Sequence, residues 1–291
     1  MAKNIKKLGF GLKPLPKDTR DFSLGAVFGR ISIWEVPNTD FEVAIPLEIK
    51  DQKDLDFCTG YALSAVSEDQ EGVILDPLFT FAKIKQIIGN WQDWGADLRD
   101  ACKEAIQFGS IEEKDSPYTL RESRDFLANW ENWPKELDEK AREHRKQSFF
   151  TVDGYADIFD AIRASIWQHR AEKRSILTGA LWEDKWTYAP GGIIPKEVGV
   201  PVGGHAFKIF GQKIIDNVPY LKAQLSNNED IGDKGIFYFS RETVNLKFIF
   251  GNFMFKDMDP EEVKKIVWPL WRRIWEKIKK SIKEYFNILL K

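Results

Sequence analysis

The sequence predicts an α+β protein: helices first, strands second, then a helical tail. Three observations point there. Apolar residues recur every three or four positions in several segments between residues 57 and 169, the period of a helix face. From Ser175 onward the apolar runs are short and are separated by Gly, Pro and Asn, as in an antiparallel sheet. The last 31 residues carry nine Lys and Arg against four Glu, a net of +5, which leaves −7 for the rest of a chain whose total is −2.

Taken in order, residues 1–50 read as an arm. Its polar turn is Leu15-Pro16-Lys17-Asp18-Thr19-Arg20-Asp21, and apolar and polar residues alternate over 41–49 as in a short strand. Residues 57–70 contain no Pro and read as a helix. Asp76-Pro77 starts the next, with Pro at the first helical position and Leu78, Phe81, Ala82 and Ile88 following. A third helix over 97–107 carries Leu98, Ala101, Cys102 and Ala105 as its stripe and closes at Gly109. The charged stretch 120–146 reads as a surface loop plus a helix from Pro134. Residues 157–169 form a further helix with Ile158, Ile162 and Ile166 spaced by four. Strands are expected at 175–182, 206–210, 220–223 and 236–240. The pattern divides the chain into an arm (1–50), a helical lobe (51–150), a β lobe (151–257) and a basic helical tail (258–291).

Composition removes several function classes. With 43 Lys and Arg against 45 Asp and Glu, the chain lacks the basic excess of a nucleic-acid coat, and no nucleic-acid partner is expected. Two Cys and three His are too few and too badly spaced for a disulfide framework or a structural zinc site, so neither metal nor cofactor is expected. No apolar stretch reaches the roughly 20 residues of a membrane span. No apolar core follows the basic start, so no secretory signal is expected and the setting is read as cytoplasmic or otherwise intracellular.

The cysteines differ in context. Cys102 sits mid-helix on an apolar stripe and reads as core. Cys58 opens a helix, where backbone N–H groups stabilise an anion and lower a thiol pKa, although a small buried side chain is the plainer alternative. Six residues earlier, Gln52 offers an amide donor for a developing oxyanion. His205 follows Gly203-Gly204 into a strand. The glycines admit close backbone approach, so an imidazole there can face a thiol on the other lobe or simply lie buried. His144 and His169 sit among charged residues and read as solvated.

The segment Gln52-Lys53-Asp54-Leu55-Asp56-Phe57-Cys58-Thr59-Gly60-Tyr61-Ala62 resembles the active-site segment of papain-like (C1-type) cysteine peptidases, and Gly203-Gly204-His205-Ala206 resembles that family's histidine strand. The separation of 147 residues from Cys58 to His205 also fits. Weaker similarities to bacterial and phage-type members lie at 15–21, 95–101, 109–118 and 232–238. The resemblance covers residues 10–245 and implies a two-lobe fold, a helical lobe and a barrel-like β lobe with a cleft between. It also implies a peptide or protein substrate and catalysis by Cys58, His205 and Gln52.

Some positions depart from the family. Counting back from Gly232 and Gly235 without gaps puts Leu225 where the family orients its histidine with Asn. Asn227 and Ile231 then stand where shielding Trp residues are usual. Either a local insertion hands the orienting role to Gln224, Asn227 or Asn228, or the site is a weak dyad or a binding scaffold. With about fifty residues ahead of the Gln–Cys segment, no long inhibitory pro-region is expected.

The tail places Val263, Val267, Leu270, Ile274, Ile278, Ile282, Tyr285 and Leu289 on one apolar stripe with a basic opposite face, interrupted early by Pro269. Across residues 261–291 this suits docking on the body of the protein or on a second protein, or peripheral attachment to an anionic membrane surface. A partner-binding or nucleic-acid-contacting helix is the remaining alternative.

Overall fold

A computed structural model describes residues 9–15, 18, 21–153, 155–196 and 199–256. The predicted tail, 258–291, lies outside the described residues.

The helices are α1 (Leu24–Phe28), α2 (Cys58–Glu71), α3 (Pro77–Ile88), α4 (Leu98–Gln107), α5 (Arg124–Ala128), α6 (Leu137–Ala141), α7 (Ile158–Gln168) and α8 (Arg241–Lys247). Local chemistry sets their ends. Asp76 caps α3 through the N–H groups of Leu78 and Phe79, and Asp97 and Asp157 cap α4 and α7 through Asp100 and Asp160 N–H. Gly72 and Gly89 end α2 and α3 in the left-handed conformation.

The strands are β1 (Phe41–Glu42), β2 (Ser148–Thr151), β3 (Ile176–Glu183), β4 (Pro201–Ile215), β5 (Val218–Gln224), β6 (Ile236–Phe239) and β7 (Asn252–Lys256). They form one antiparallel sheet in the order β2-β7-β3-β4-β5-β6, with β1 added to β4; the sheet is not closed. The helices and sheet confirm the α+β class. Three details differ from expectation. The strand expected over 41–49 pairs only at Phe41 and Glu42. The histidine strand extends well beyond 206–210. Strands β2 and β7 and helices α1, α5 and α8 were not anticipated.

Alternation along the strands gives the sheet two apolar faces. Leu177, Ala206, Phe253 and Phe255 pack with α2, α3 and α4. Ile176, Ala180, Phe207 and Ile209 pack with α7 and the Trp182–Trp186 pair on the other side. Helix α2 therefore lies against β4, which carries His205. A fully buried ion pair, Lys208 Nζ to Asp69 Oδ1 at 2.7 Å, ties the two elements together.

Candidate active site

Cys58 is the first residue of α2 and is wholly buried. Its thiol is approached by the N–H groups of Ala206, Gly11 and Thr59. The Ala206 contact brings the sulfur to the residue beside His205. The helix start and these amides favour a thiolate, but burial is the larger effect and pushes the Cys58 thiol up to about 11. This reverses the expected lowering: desolvation outweighs the helix terminus.

His205 is 0% exposed on β4. Its Nε2–H donates to Asn227 Oδ1 at 3.1 Å, while Nδ1 has no hydrogen-bond partner among the described residues. A ring that donates from Nε2 in its neutral form leaves Nδ1 as the base. Burial pushes the imidazole down to about 4, against weaker opposing contributions from Asn227 and the Gly9 carbonyl.

Of the three candidates for the orienting residue, only Asn227 reaches the imidazole. Gln224 Nε2 donates to the Glu48 carbonyl, and Asn228 Nδ2 donates to Asp51 Oδ2. Leu225 is 2% exposed in the core. The gapless count is thus displaced by two positions, because Leu225 N–H still pairs with the Gly235 carbonyl and the chain turns toward His205 only afterwards. Trp182 of β3 lies edge-on to the His205 ring at 5.5 Å.

Gln52 is 0% exposed. Its Oε1 accepts from Ser226 Oγ, so the residue just before Asn227 aims the amide. Its Nε2 donates to the Leu55 carbonyl at 2.7 Å and to the Gly9 carbonyl at 2.8 Å.

The arm makes that last contact. Residues 9–13 run across the thiol and the imidazole. Gly9 N–H donates to the Lys53 carbonyl, Trp94 Nε1 donates to the Phe10 carbonyl, and Leu12 N–H donates to the Gly204 carbonyl. Ala96 N–H donates to Gly11 O at 2.8 Å and Lys13 N–H donates to Ala96 O at 2.9 Å, a parallel bridge. The Phe10 ring lies edge-on to His205 at 5.9 Å. The close approach expected at Gly203-Gly204 is therefore made by residues 10 and 12 of the same chain.

The loop that pairs with Leu12 is held from behind. Arg124 is bidentate on Asp56 and also donates to the Trp91 and Asp93 carbonyls, while Lys85 Nζ donates to the carbonyls of Asp93 and Gly95. Burial lowers Lys85 to about 8.

The remaining candidates separate. Cys102 is buried in α4, as expected of a core residue. His144 and His169 are not solvated as read from their neighbours in sequence. His144 Nδ1 contacts Glu71, and His169 is 5% exposed with its ring edge-on to Phe28 at 5.7 Å. Among the described residues no three His, Cys, Asp or Glu side chains are grouped to hold a metal ion.

No protein-family model and no curated protein sequence matches the chain. Solved structures do. Xylellain, a cysteine protease from Xylella fastidiosa, superposes with a TM-score of 0.70 at 20% identity, over 89% of this chain and 99% of that one. The fold is papain-like. Procathepsin B S9 from Trypanosoma congolense gives a TM-score of 0.58 at 16% identity, over 85% of this chain and 86% of that one. Digestive procathepsin L 3 of Tenebrio molitor larval midgut gives 0.56 at 12%, over 86% and 75%. The expected fold class is thereby met, with the bacterial protein more similar than these two eukaryotic ones. Within this papain-like fold, Cys58 opens a helix that packs on the strand bearing His205.

Proposed function

We propose that the chain is a cysteine peptidase whose nucleophile is Cys58. The observation that carries this reading is the His205–Asn227 hydrogen bond. It occupies Nε2 and leaves Nδ1 to exchange a proton with a thiol seated at the neighbouring residue's N–H. Proton transfer from Cys58 to His205 gives the thiolate–imidazolium pair. The sulfur attacks the scissile carbonyl carbon, and Gln52 Nε2 with the Cys58 N–H holds the oxyanion. The C–N bond breaks as His205 protonates the leaving amine. Water then attacks the thioester, His205 takes its proton, and the thiol is restored.

The His205–Asn227 bond supports an assembled site over the scaffold alternative, which rested on Leu225 in the Asn position, on Asn227 in a Trp position and on the appended helix. The proposed partner is an extended peptide or protein segment. The division into helical and β lobes is supported by the two apolar clusters. Attachment of residues 261–291 to a membrane surface or second protein rests on their sequence pattern alone. No helix among the described residues is long and apolar enough to cross a membrane. Both cysteines are free, which fits the reducing, intracellular setting proposed.

The test scores hydrolysis of a mixed peptide library against the fraction of Cys58 that a small thiol reagent titrates. Turnover should scale with that fraction and fall at least a hundredfold in Cys58→Ser and in His205→Ala. A fully titratable Cys58 with no turnover, or turnover that survives Cys58→Ser, refutes the reading.

A further inference from the structure

We infer that the cavity between the 48–53 loop and the 113–121 loop is a second binding site, and that its ligand is an extended organic cation of the alkyl diamine or polyamine class. The site stands whether or not Cys58 is a nucleophile.

The cavity has a volume of about 750 Å³, the size of a small-molecule site. Tyr61 of α2 and the start of α3, Asp76 to Leu78, form its buried side. Cys58, His205, Asn227 and Gln52 are not in its lining, although Asp51 and Lys53 on its wall flank Gln52 in the chain.

Its deepest polar group is an unsatisfied acceptor. Asp76 lines the cavity and is 1% exposed. Its Oδ1 accepts from the N–H groups of Leu78 and Phe79, whereas Oδ2 is buried with no hydrogen-bond partner. Ser116 is close enough to favour the charged carboxylate, but its hydroxyl donates to the Tyr118 carbonyl at 3.1 Å. A buried acceptor in this state is costly, and a donor arriving from the cavity relieves it.

The charge around that acceptor calls for a cation. Glu48, Asp51, Asp76 and Glu113 all line the cavity, and all four act with burial to push the Tyr61 hydroxyl pKa up. Three basic side chains share the wall, but two are already engaged. Lys50 Nζ pairs with Glu68 at 2.8 Å and Glu113 at 3.2 Å and donates to the Leu75 carbonyl, and Lys53 Nζ pairs with Asp51 at 2.7 Å. Arg121 stands exposed, where its charge acts on Glu122. Glu48 is raised by burial and by the like charges of Glu113 and Glu68, with Lys50 alone opposing. Glu48 and Asp76 therefore both gain from a positive charge between the loops.

The spread of these groups selects the kind of cation. Among the described residues no three acidic side chains converge tightly enough to hold a metal ion. Pro77, Leu78 and Leu120 put apolar wall between the polar groups. A chain of methylenes with an ammonium at each end matches both features: each ammonium brings three N–H donors, and the stem lies on apolar surface. One ammonium belongs at Asp76 and Tyr61, the next toward Glu48.

Isothermal titration of the full-length chain with cadaverine and with spermidine, at ionic strength fixed with NaCl, tests this. Both amines should bind saturably at one site. 1-Pentanol, with the same stem and no charge, should not bind. Asp76→Asn keeps the helix-capping oxygen but replaces the free acceptor with a donor, and Glu48→Gln removes an exposed charge. Each should weaken cadaverine roughly tenfold or more. Asp153→Asn, in the separate acidic cavity beside Arg99, should leave the affinity unchanged. If Asp76→Asn fails to fold by circular dichroism, Tyr61→Phe combined with Glu48→Gln takes its place. Absence of saturable amine binding overturns the inference. So does equal binding of 1-pentanol, an affinity unchanged by the folded cavity variants, or a loss in Asp153→Asn as large as theirs.

Discussion

Asn227 is the residue whose removal most directly tests the site. Asn227 and His205 are 1% and 0% exposed, and they are joined by the 3.1 Å bond from Nε2 to Oδ1. In Asn227→Ala the Nε2–H is left buried without a partner, which costs about 1–3 kcal/mol. At about 1.4 kcal/mol per tenfold change, that is roughly a 5- to 150-fold loss if the bond is needed most when the ring is charged. The bond also favours the protonated ring, so its loss should lower the imidazolium pKa and move the alkaline limb of the rate profile to lower pH. The assay is kcat/KM on a fluorogenic peptide across the neutral and alkaline range. The loss should appear in kcat. Asn227→Asp, which keeps an acceptor oxygen and adds a charge, should move the limb the other way. A rate within twofold of the parent, or a loss with no movement of the limb, refutes the assignment.

Two further outcomes follow from burial. Leu225→Asn puts an amide into an apolar cluster, which should lower stability by roughly 2–5 kcal/mol in urea titration and leave the Cys58 rate no higher; a gain in rate would show that Asn227 is not the orienting residue. His205 and His169 are both held near 4, below the ordinary 6.5. A base with a depressed folded pKa contributes its stability above the unfolded pKa and loses it as pH falls through the folded one. Urea stability should therefore decline between about pH 6.5 and 4, by roughly 3 kcal/mol for each of the two imidazoles. His169→Phe, placed against Phe28, should flatten part of that slope, and a slope unchanged by it would show that His169 protonates freely in the folded chain.

What the sequence made legible follows from how local each signal is. Helices α2, α3, α4 and α7 carry both a periodic stripe and a polar or glycine terminus, and their ends fall within a few residues of expectation. Cys58, Gln52 and His205 stand in short motifs, so their candidacy was visible without any fold. Asn227 is legible in the sequence only as one of three candidates, with Gln224 and Asn228, because its position depends on where the chain leaves β5. Strand β7, Asn252–Lys256, is buried on both faces, so it lacks the alternation that marks a half-exposed strand. His169 was misread because the residues beside it in sequence are charged, whereas the group against its ring, Phe28, is far away along the chain. Lys208 and Lys85 are hidden for the same reason: their partners Asp69, Asp93 and Gly95 are set by tertiary packing.

The glycines of the arm show the deepest limit on sequence reading, and they also explain the electrostatics. Nothing local distinguishes Gly9 and Gly11 from ordinary loop glycines; their necessity comes from the Leu55 and Asp56 carbonyls, which approach only after folding. Residues 9–13 lie across Cys58 and His205, and burial is the leading cause of both shifts, the thiol upward to about 11 and the imidazole downward to about 4. Each shift favours the neutral form, the opposite of what nucleophilic attack requires. Against burial, the Ala206 and Thr59 amides, the helix start and Asn227 all favour the charged pair.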